Sequence, residues 1–118
     1  MKSYRELEVW QLACRLVVEV YKVTVKFPAS EQFGLTSQIR RAAVSIPSNI
    51  AEGFTRRTLA DNHNFVRIAL ASGAELETQL YLVGQLKLVS PIMLVEVNGL
   101  LERIMKMLNK LGQRLASG

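Results

Sequence analysis

The chain has 118 residues, a length that suits one compact domain and is too short for two of ordinary size. Hydrophobic residues make up 49% of the chain and charged residues 21%, a balance that is typical of globular proteins and excludes a long disordered tail. The formal net charge of +5 favours acidic partners such as nucleic acid, and the single cysteine excludes an intrachain disulfide and a zinc site made of cysteines.

The N-terminal ten residues do not have the pattern of a secretion signal. Glu6 and Glu8 lie where a signal peptide needs an apolar core. No uncharged apolar run reaches the roughly 18 residues that mark a membrane-spanning helix. We therefore expect a cytoplasmic protein with no membrane partner, folded as a single domain over residues 1–118.

The first predicted helix begins near a capping box formed by Ser3 and Glu6 and ends at Phe27-Pro28. Its polar residues form one narrow line, so the apolar surface is much wider than the stripe of about 100° that an outer helix of a bundle needs. This helix is either buried between neighbouring helices of one chain or part of a subunit interface. We favour the interface because a large exposed apolar patch is unusual. The candidate interface residues are Val9, Leu12, Leu16, Val20 and Val23.

The second predicted helix covers about residues 36–52 and contains Pro47. Proline has no N–H to donate to the carbonyl of Ala43 and its ring crowds that carbonyl, so we expect the helix to kink at Pro47 or to break there. The polar side chains placed to satisfy the freed backbone groups are Ser45, Ser48 and Asn49.

The connections on either side of this helix are short. Phe33, in the connection before it, is expected to pack against the bundle. Gly53 is expected to supply the left-handed residue that ends the helix. After it, Thr58 and Asp61 indicate the N-cap of the third helix.

The third predicted helix extends to about Lys87 and carries a heptad pattern. The residues at its seam positions are Phe65, Ala69, Ser72, Leu76, Gln79, Val83 and Leu86. Ser90 and Pro91 then mark the start of a fourth helix. Four helices with short connections predict an all-α fold, an antiparallel up-down-up-down four-helix bundle.

Residues suited to catalysis are scarce. His63 is the only histidine, so the Glu-x-x-His pairs of di-metal bundles cannot be built within one chain, and we expect it to face solvent. Glu75 and Glu77 are two residues apart on a helix and point in different directions, so they cannot act as a pair. Cys14 is expected to be a buried, inert thiol. We predict no enzymatic activity, no cofactor and no metal.

Basic residues are the main functional candidates, because the planar fork of arginine suits phosphate. The second helix and its following turn could present four arginines together, with a fifth nearby in the third helix. They are Arg40, Arg41, Arg56 and Arg57, with Arg67 as the fifth. A second stripe on the fourth helix is Arg103, Lys106, Lys110 and Arg114.

Two interpretations of these residues remain open. They contact RNA or DNA, or they pair with acids such as Glu52 and Asp61 or with an adjacent subunit and only solvate the surface. Phe54 is the sole nearby aromatic candidate for stacking on bases, so any binding should be mainly electrostatic and weakly selective. A protein–protein scaffold without a nucleic-acid role is the alternative function.

The segment FGLTSQIRRAAVSIPSNIAEGFTRR, residues 33–57, resembles the signature of the 23S rRNA intervening-sequence proteins, a bacterial four-helix bundle family. Further similarity lies in LEVWQLACRLVVEVYKVTVKFP before it and FVRIALASGAELETQLYLVGQL after it, so the resemblance covers about residues 7–90. The family implies a bundle that assembles into ring-like homopentamers without an established enzymatic activity. Its relatives include accessory proteins of diversity-generating retroelements, so the implied partners are RNA or DNA and a protein such as a reverse transcriptase.

Overall fold

The computed structural model of the protein describes residues 3–117 and contains four α-helices in that range. They are α1 (Glu8–Thr24), α2 (Leu35–Phe54), α3 (Leu59–Leu86) and α4 (Val95–Ser117). Short 3-10 helices precede α1, α2 and α4, at Tyr4–Glu6, Ala29–Glu31 and Pro91–Leu94. Strands are absent from the described residues, which confirms the all-α prediction.

The four helices form a bundle in which each helix packs against the next one in the chain and α1 also packs against α4. Arg15 of α1 pairs with Glu96 near the start of α4, and Glu8, at the start of α1, pairs with Arg103 further along α4. The antiparallel up-down-up-down order of the helices stays a prediction. The bundle measures 45 × 23 × 21 Å.

Large aliphatic side chains from all four helices fill the interior. Among those less than 2% exposed are Leu16, Ile39, Ile46, Leu76, Leu101, Ile104 and Leu108. Burying one such side chain stabilises the fold by about 1.5–3 kcal/mol, so the core supplies the main driving force. Gln79 of α3 is also buried, and its Oε1 atom has no hydrogen-bond partner among the described residues. None of the helices in residues 3–117 is long and apolar enough to cross a membrane.

Helix α2 is continuous through Pro47, so the helix does not break there. Ser48 Oγ donates to the carbonyl of Val44 at 2.8 Å, and Asn49 Nδ2 donates to the carbonyl of Ser45 at 2.8 Å. Pro47 leaves the carbonyl of Ala43 without its usual N–H donor. The two side chains bond the next two carbonyls along the chain, as expected for a helix that accommodates a proline. Pro47 is itself buried in the bundle. The kink stays a prediction.

Gly53 does not have the left-handed conformation that the sequence suggests. No glycine among the described residues has a positive φ, and α2 continues to Phe54. A Cβ atom at Gly53 would lie 2.8 Å from Phe65 Cβ of α3. Glycine is therefore needed here for the close approach of two helices. The left-handed residue is Lys87, with φ of 55°, which closes α3.

The start of the fold differs slightly from the predicted capping box. The Ser3 side chain accepts a hydrogen bond from the backbone N–H of Arg5 at 3.1 Å and caps a 3-10 turn. Leu7 is extended, so α1 begins only at Glu8. Trp10, in the first turns of α1, packs against the core, and the Tyr4 ring meets it edge to face at 5.3 Å. The N-cap predicted for α3 is confirmed, because Thr58 Oγ1 accepts from the Asp61 N–H.

Candidate nucleic-acid interface

Helix α2 separates the four arginines that the sequence places together. Arg41 and Arg56 are fifteen positions apart in the chain, about 22 Å at the helical rise of 1.5 Å per residue. Arg40 and Arg41 therefore lie in the first half of α2, whereas Arg56 and Arg57 follow its last turn. The group predicted as one surface consists of two separate sites.

Arg56 and Arg57 lie at the end of the bundle that holds the α2–α3 turn, which we call the turn end. Gly53 lies beside Phe65, and Gly112 of α4 lies beside Val66 of α3, so the end of α2, the start of α3 and the last turns of α4 meet there. This arrangement brings basic residues from distant parts of the chain to one end of the molecule.

Arg56 is partly occupied within its own turn. Its guanidinium lies 3.3 Å from the Glu52 carboxylate and 4.7 Å above the Phe65 ring. Arg57 and Arg67 are exposed and form no ion pair with any residue in the range 3–117. Arg5, which sequence analysis did not select, is also exposed, just before α1. Only the packing of the helix ends could have indicated it.

The basic stripe of α4 is half paired. Arg103 pairs with Glu8 and Lys106 with Glu102, each at 3.3 Å and each more than half exposed. Exposed pairs of this kind contribute about 0–1 kcal/mol, so a phosphate could replace the acid at little cost. Lys110 and Arg114 have no acidic partner among the described residues. They border a hollow of about 310 Å³ lined also by Leu7, Glu8, Val9, Met107 and Leu111.

Arg40 is held in place by α1 at the opposite half of the bundle. Its Nε donates to Thr24 Oγ1 at 2.9 Å, and its guanidinium carbon lies 4.3 Å from the centre of the Tyr21 ring. The Thr24 hydroxyl in turn donates to the Val20 carbonyl at 2.8 Å. Arg40 is thus a positioned side chain rather than a mobile surface charge.

Arg41 lies beside Arg40 on a groove between α1 and α2, which we call the α1–α2 groove. Its volume is about 590 Å³, and its lining residues are Tyr21, Gln32, Phe33, Thr36, Ser37, Arg40, Arg41, Val44 and Ser45. The expectation that Phe33 packs against the bundle is wrong, because its side chain is 91% exposed. Sequence analysis missed Phe33 and Tyr21 as neighbours of arginines, since one lies in a connection and the other on a different helix.

The residues predicted as a subunit interface lie inside the single chain. Val9, Leu16, Val20 and Val23 are at most 7% exposed, and Leu12 packs against the same core. We correct the assignment, because these side chains are buried or half-buried in the core of the single chain, where α1 packs against α2 and α4. The wide apolar surface of α1 is nevertheless real. Its exposed members are Val18, Tyr21 and Val25, which border a mostly apolar hollow next to Arg40.

The described residues contain no group of three or more His, Cys, Asp or Glu side chains that could hold a metal ion. Cys14 is partly buried, and this burial raises the pKa of its thiol. A raised pKa leaves less of the reactive thiolate at neutral pH. His63 is partly exposed at the start of α3.

Comparison with known proteins identifies a family and similar solved structures. The model of the 23S rRNA-intervening sequence protein family matches residues 5–110. The crystal structure of a protein with unknown function from the S23 ribosomal protein family of Bacteroides thetaiotaomicron VPI-5482 is similar, with a TM-score of 0.82 and 24% identity. The match covers 89% of this chain and 95% of that chain, and at this identity it concerns the fold alone. No curated protein matches the sequence.

Proposed function

Given that the chain belongs to the 23S rRNA-intervening sequence protein family, we propose that it is a non-enzymatic protein that binds RNA or DNA electrostatically and assembles as a homo-oligomer. The observation that supports nucleic-acid binding is a set of basic side chains near the turn end without acidic partners among residues 3–117. Its members are Arg57, Arg67, Lys110 and Arg114. Arginine and lysine left free in this way are available to phosphates.

The salt dependence of binding follows from the number of phosphates contacted. Each neutralised phosphate contributes about −0.9 to the slope of log K against log salt for duplex DNA, and about −0.7 for single strands. Four contacts from one subunit therefore give a slope of roughly −3 to −4. In an oligomer each subunit repeats the set, so weak contacts add through multivalency.

A filter-binding titration against salt tests this proposal. The test variant replaces Arg57, Lys110 and Arg114 with glutamine, and we expect a slope flatter by about 2–3 units. The matched control removes three charges elsewhere, as Arg15→Gln, Lys26→Gln and Lys87→Asn, and none of these residues lines the hollow at Val18 and Val25. Asparagine suits the left-handed backbone of Lys87. Absence of binding by the wild type at low salt would reject the function. Equal losses in both variants would reject the turn end as its location.

The exposed apolar surface of α1 supports self-association. Val18 is 54% exposed and Val25 71%, an unusual situation for aliphatic side chains that lie one above the other on a helix. Light scattering should show a homo-oligomer, a pentamer if the resemblance extends to assembly. Val18→Ser together with Val25→Ser should lower the measured mass without unfolding the bundle. Leu16→Ser, in the core, should instead unfold it. A wild-type monomer at micromolar concentration would reject the oligomer.

A protein–protein scaffold is the alternative, and further exposed apolar residues around the α3–α4 connection favour it. They are Tyr81, Leu82, Leu86, Ile92 and Val95, all at least 42% exposed. A scaffold keeps its protein partner, such as a reverse transcriptase, after nuclease treatment, whereas a partner tethered through nucleic acid is released. Pull-down of the tagged protein with and without nuclease separates the two functions.

A further inference from the structure

We propose that the α1–α2 groove binds an unpaired base together with its phosphate, in single-stranded RNA or DNA. This inference rests on the proposed nucleic-acid function and adds a preference for unpaired strands. It also modifies the expectation of mainly electrostatic, weakly selective binding, because the groove combines an exposed aromatic ring with two arginines. The proposed contacts are stacking on Phe33 and ionic hydrogen bonds from Arg41.

Phe33 is presented to solvent by an ordered connection. Three backbone hydrogen bonds hold this segment, from Glu31 N–H to the Pro28 carbonyl, Gln32 N–H to Ala29, and Gly34 N–H to Glu31, at 2.9–3.1 Å. The ring is nevertheless 91% exposed, and it lines the groove. An exposed aromatic ring with a free face is a platform on which an unpaired base can stack.

Arg40 and Tyr21 form the wall of the groove beside Phe33. The Nε of Arg40 donates to Thr24, and its guanidinium carbon lies 4.3 Å from the centre of the Tyr21 ring, so the hydrogen bond leaves the terminal nitrogens able to donate. A guanidinium fixed by a hydrogen bond and a ring loses little conformational freedom on binding a phosphate, so its position favours recognition.

Arg41 supplies the second positive charge. Its side chain is exposed and makes no ion pair with the residues that the structure describes. The lining of the groove contains no acidic residue. Glu75 borders a separate hollow on the α3 side of Arg41 without pairing with it. Glu31, whose Oε1 would lie 3.7 Å from a Cβ at Gly34, is not among the lining residues either. Gln32 and Ser37 offer neutral donors and acceptors to the edge of a base.

Size and charge favour a nucleotide over a second copy of the chain. A groove of about 590 Å³ falls within the ~300–1,000 Å³ typical of small-ligand sites. Two arginines without a lining acid attract a polyanion, whereas another copy also carries a net charge of +5 and would have to bring an acidic segment to this place. We therefore assign the groove to nucleic acid and the adjacent hollow at Val18 and Val25 to self-association.

Filter binding at fixed low salt with three kinds of oligonucleotide of equal length tests the proposal. They are a single strand, the same strand with abasic sites throughout, and a duplex, and the single strand is made once as RNA and once as DNA. The variants are Phe33→Ala and Arg41→Gln. The matched control is Tyr81→Ala, because Tyr81 is also an exposed aromatic residue, 66% exposed, but lies on α3 away from the groove.

We expect Phe33→Ala to bind the single strand about 5- to 150-fold more weakly, the range for loss of one stacked base, with no change for the abasic strand. Arg41→Gln should weaken binding of the single strand and the abasic strand alike, and Tyr81→Ala should change neither. A preference for RNA or for DNA would name the strand that the groove accepts, and equal affinity would assign both.

Two outcomes would overturn the inference and differ from failure of the proposed function. If all three oligonucleotides bind equally and Phe33→Ala has no effect, binding is purely electrostatic and the base site is wrong while the function stands. If Phe33→Ala instead lowers the mass measured by light scattering, the groove is a contact between copies. Absence of binding to every oligonucleotide would reject the function and the groove together.

Discussion

The close approach of α2 and α3 at Gly53 can be tested by replacing this residue with alanine. The new Cβ would lie 2.8 Å from Phe65 Cβ and 3.3 Å from the carbonyl oxygen of Asn62. Carbon atoms in contact are normally about 3.5–4.0 Å apart, so the first contact is too short by roughly 1 Å. Phe65 Cβ is bonded directly to the backbone and cannot rotate away. The two helices must therefore separate to admit one methyl group.

The expected magnitude combines two opposing effects. Overpacking a well-packed interior costs about 1–3 kcal/mol, and loss of neighbouring contacts as the helices separate places this case in the upper part of that range. Alanine stabilises a helix interior by about 1 kcal/mol relative to glycine. The net expectation for Gly53→Ala is a loss of about 1–2 kcal/mol, which lowers Tm by about 4–10 °C in a domain of this size.

Urea and thermal unfolding, followed by circular dichroism, provide the measurement. Gly99 is the matched control, because it lies within α4, is exposed, and a Cβ there would meet nothing within 4 Å. Gly99→Ala should therefore raise stability by about 0.5–1 kcal/mol. If Gly53→Ala is as stable as the wild type, or more stable, the glycine is not required for helix contact and our reasoning is wrong.

The further predictions concern polar groups that are buried or partly buried. Gln79→Leu should raise the free energy of unfolding by about 1 kcal/mol, because it removes a buried carbonyl oxygen without a partner; a loss would mean that the amide has a role. A double-mutant cycle of Ser45→Ala and Ser72→Ala should give a coupling of about 0.5–1.5 kcal/mol for their 2.7 Å hydrogen bond, whereas zero coupling would contradict it. Iodoacetamide should alkylate Cys14 more slowly in the folded protein than in concentrated urea, since burial raises the pKa of the thiol; equal rates would contradict the burial. Because the folded state holds this proton more tightly, unfolding should also become easier as the pH rises into the alkaline range.

The sequence predicts the helices well because their signals are local. Thr58 caps α3 as expected, and the apolar pattern identifies the buried residues of α2, from Ile39 to Ile50. The bounds of α2 are within two residues of the prediction. These features depend on backbone donors and on periodicity, and both are contained in a window of a few residues.

Errors arose where a residue's role depends on another helix. Gly53 looked like a helix terminator, although it serves the contact with α3. Val20 and Leu16 looked like excess apolar surface, because the sequence does not show how much of α1 its two neighbours cover. The arginines looked like one group, because counting residues ignores the length of the helix between them. All three errors concern distances between elements, which a single-chain pattern does not contain.

Trp10 can serve as an intrinsic fluorescence probe because of where its indole ring lies in the bundle. Trp10 is the only tryptophan of the chain and lies at the junction between the Tyr4 turn, α1 and the core. Its emission should move to longer wavelength when α1 leaves its neighbours and water reaches the ring. Because the α1–α2 groove lies at the other end of α1, occupation of the groove should leave the emission maximum unchanged while detachment of the helix shifts it.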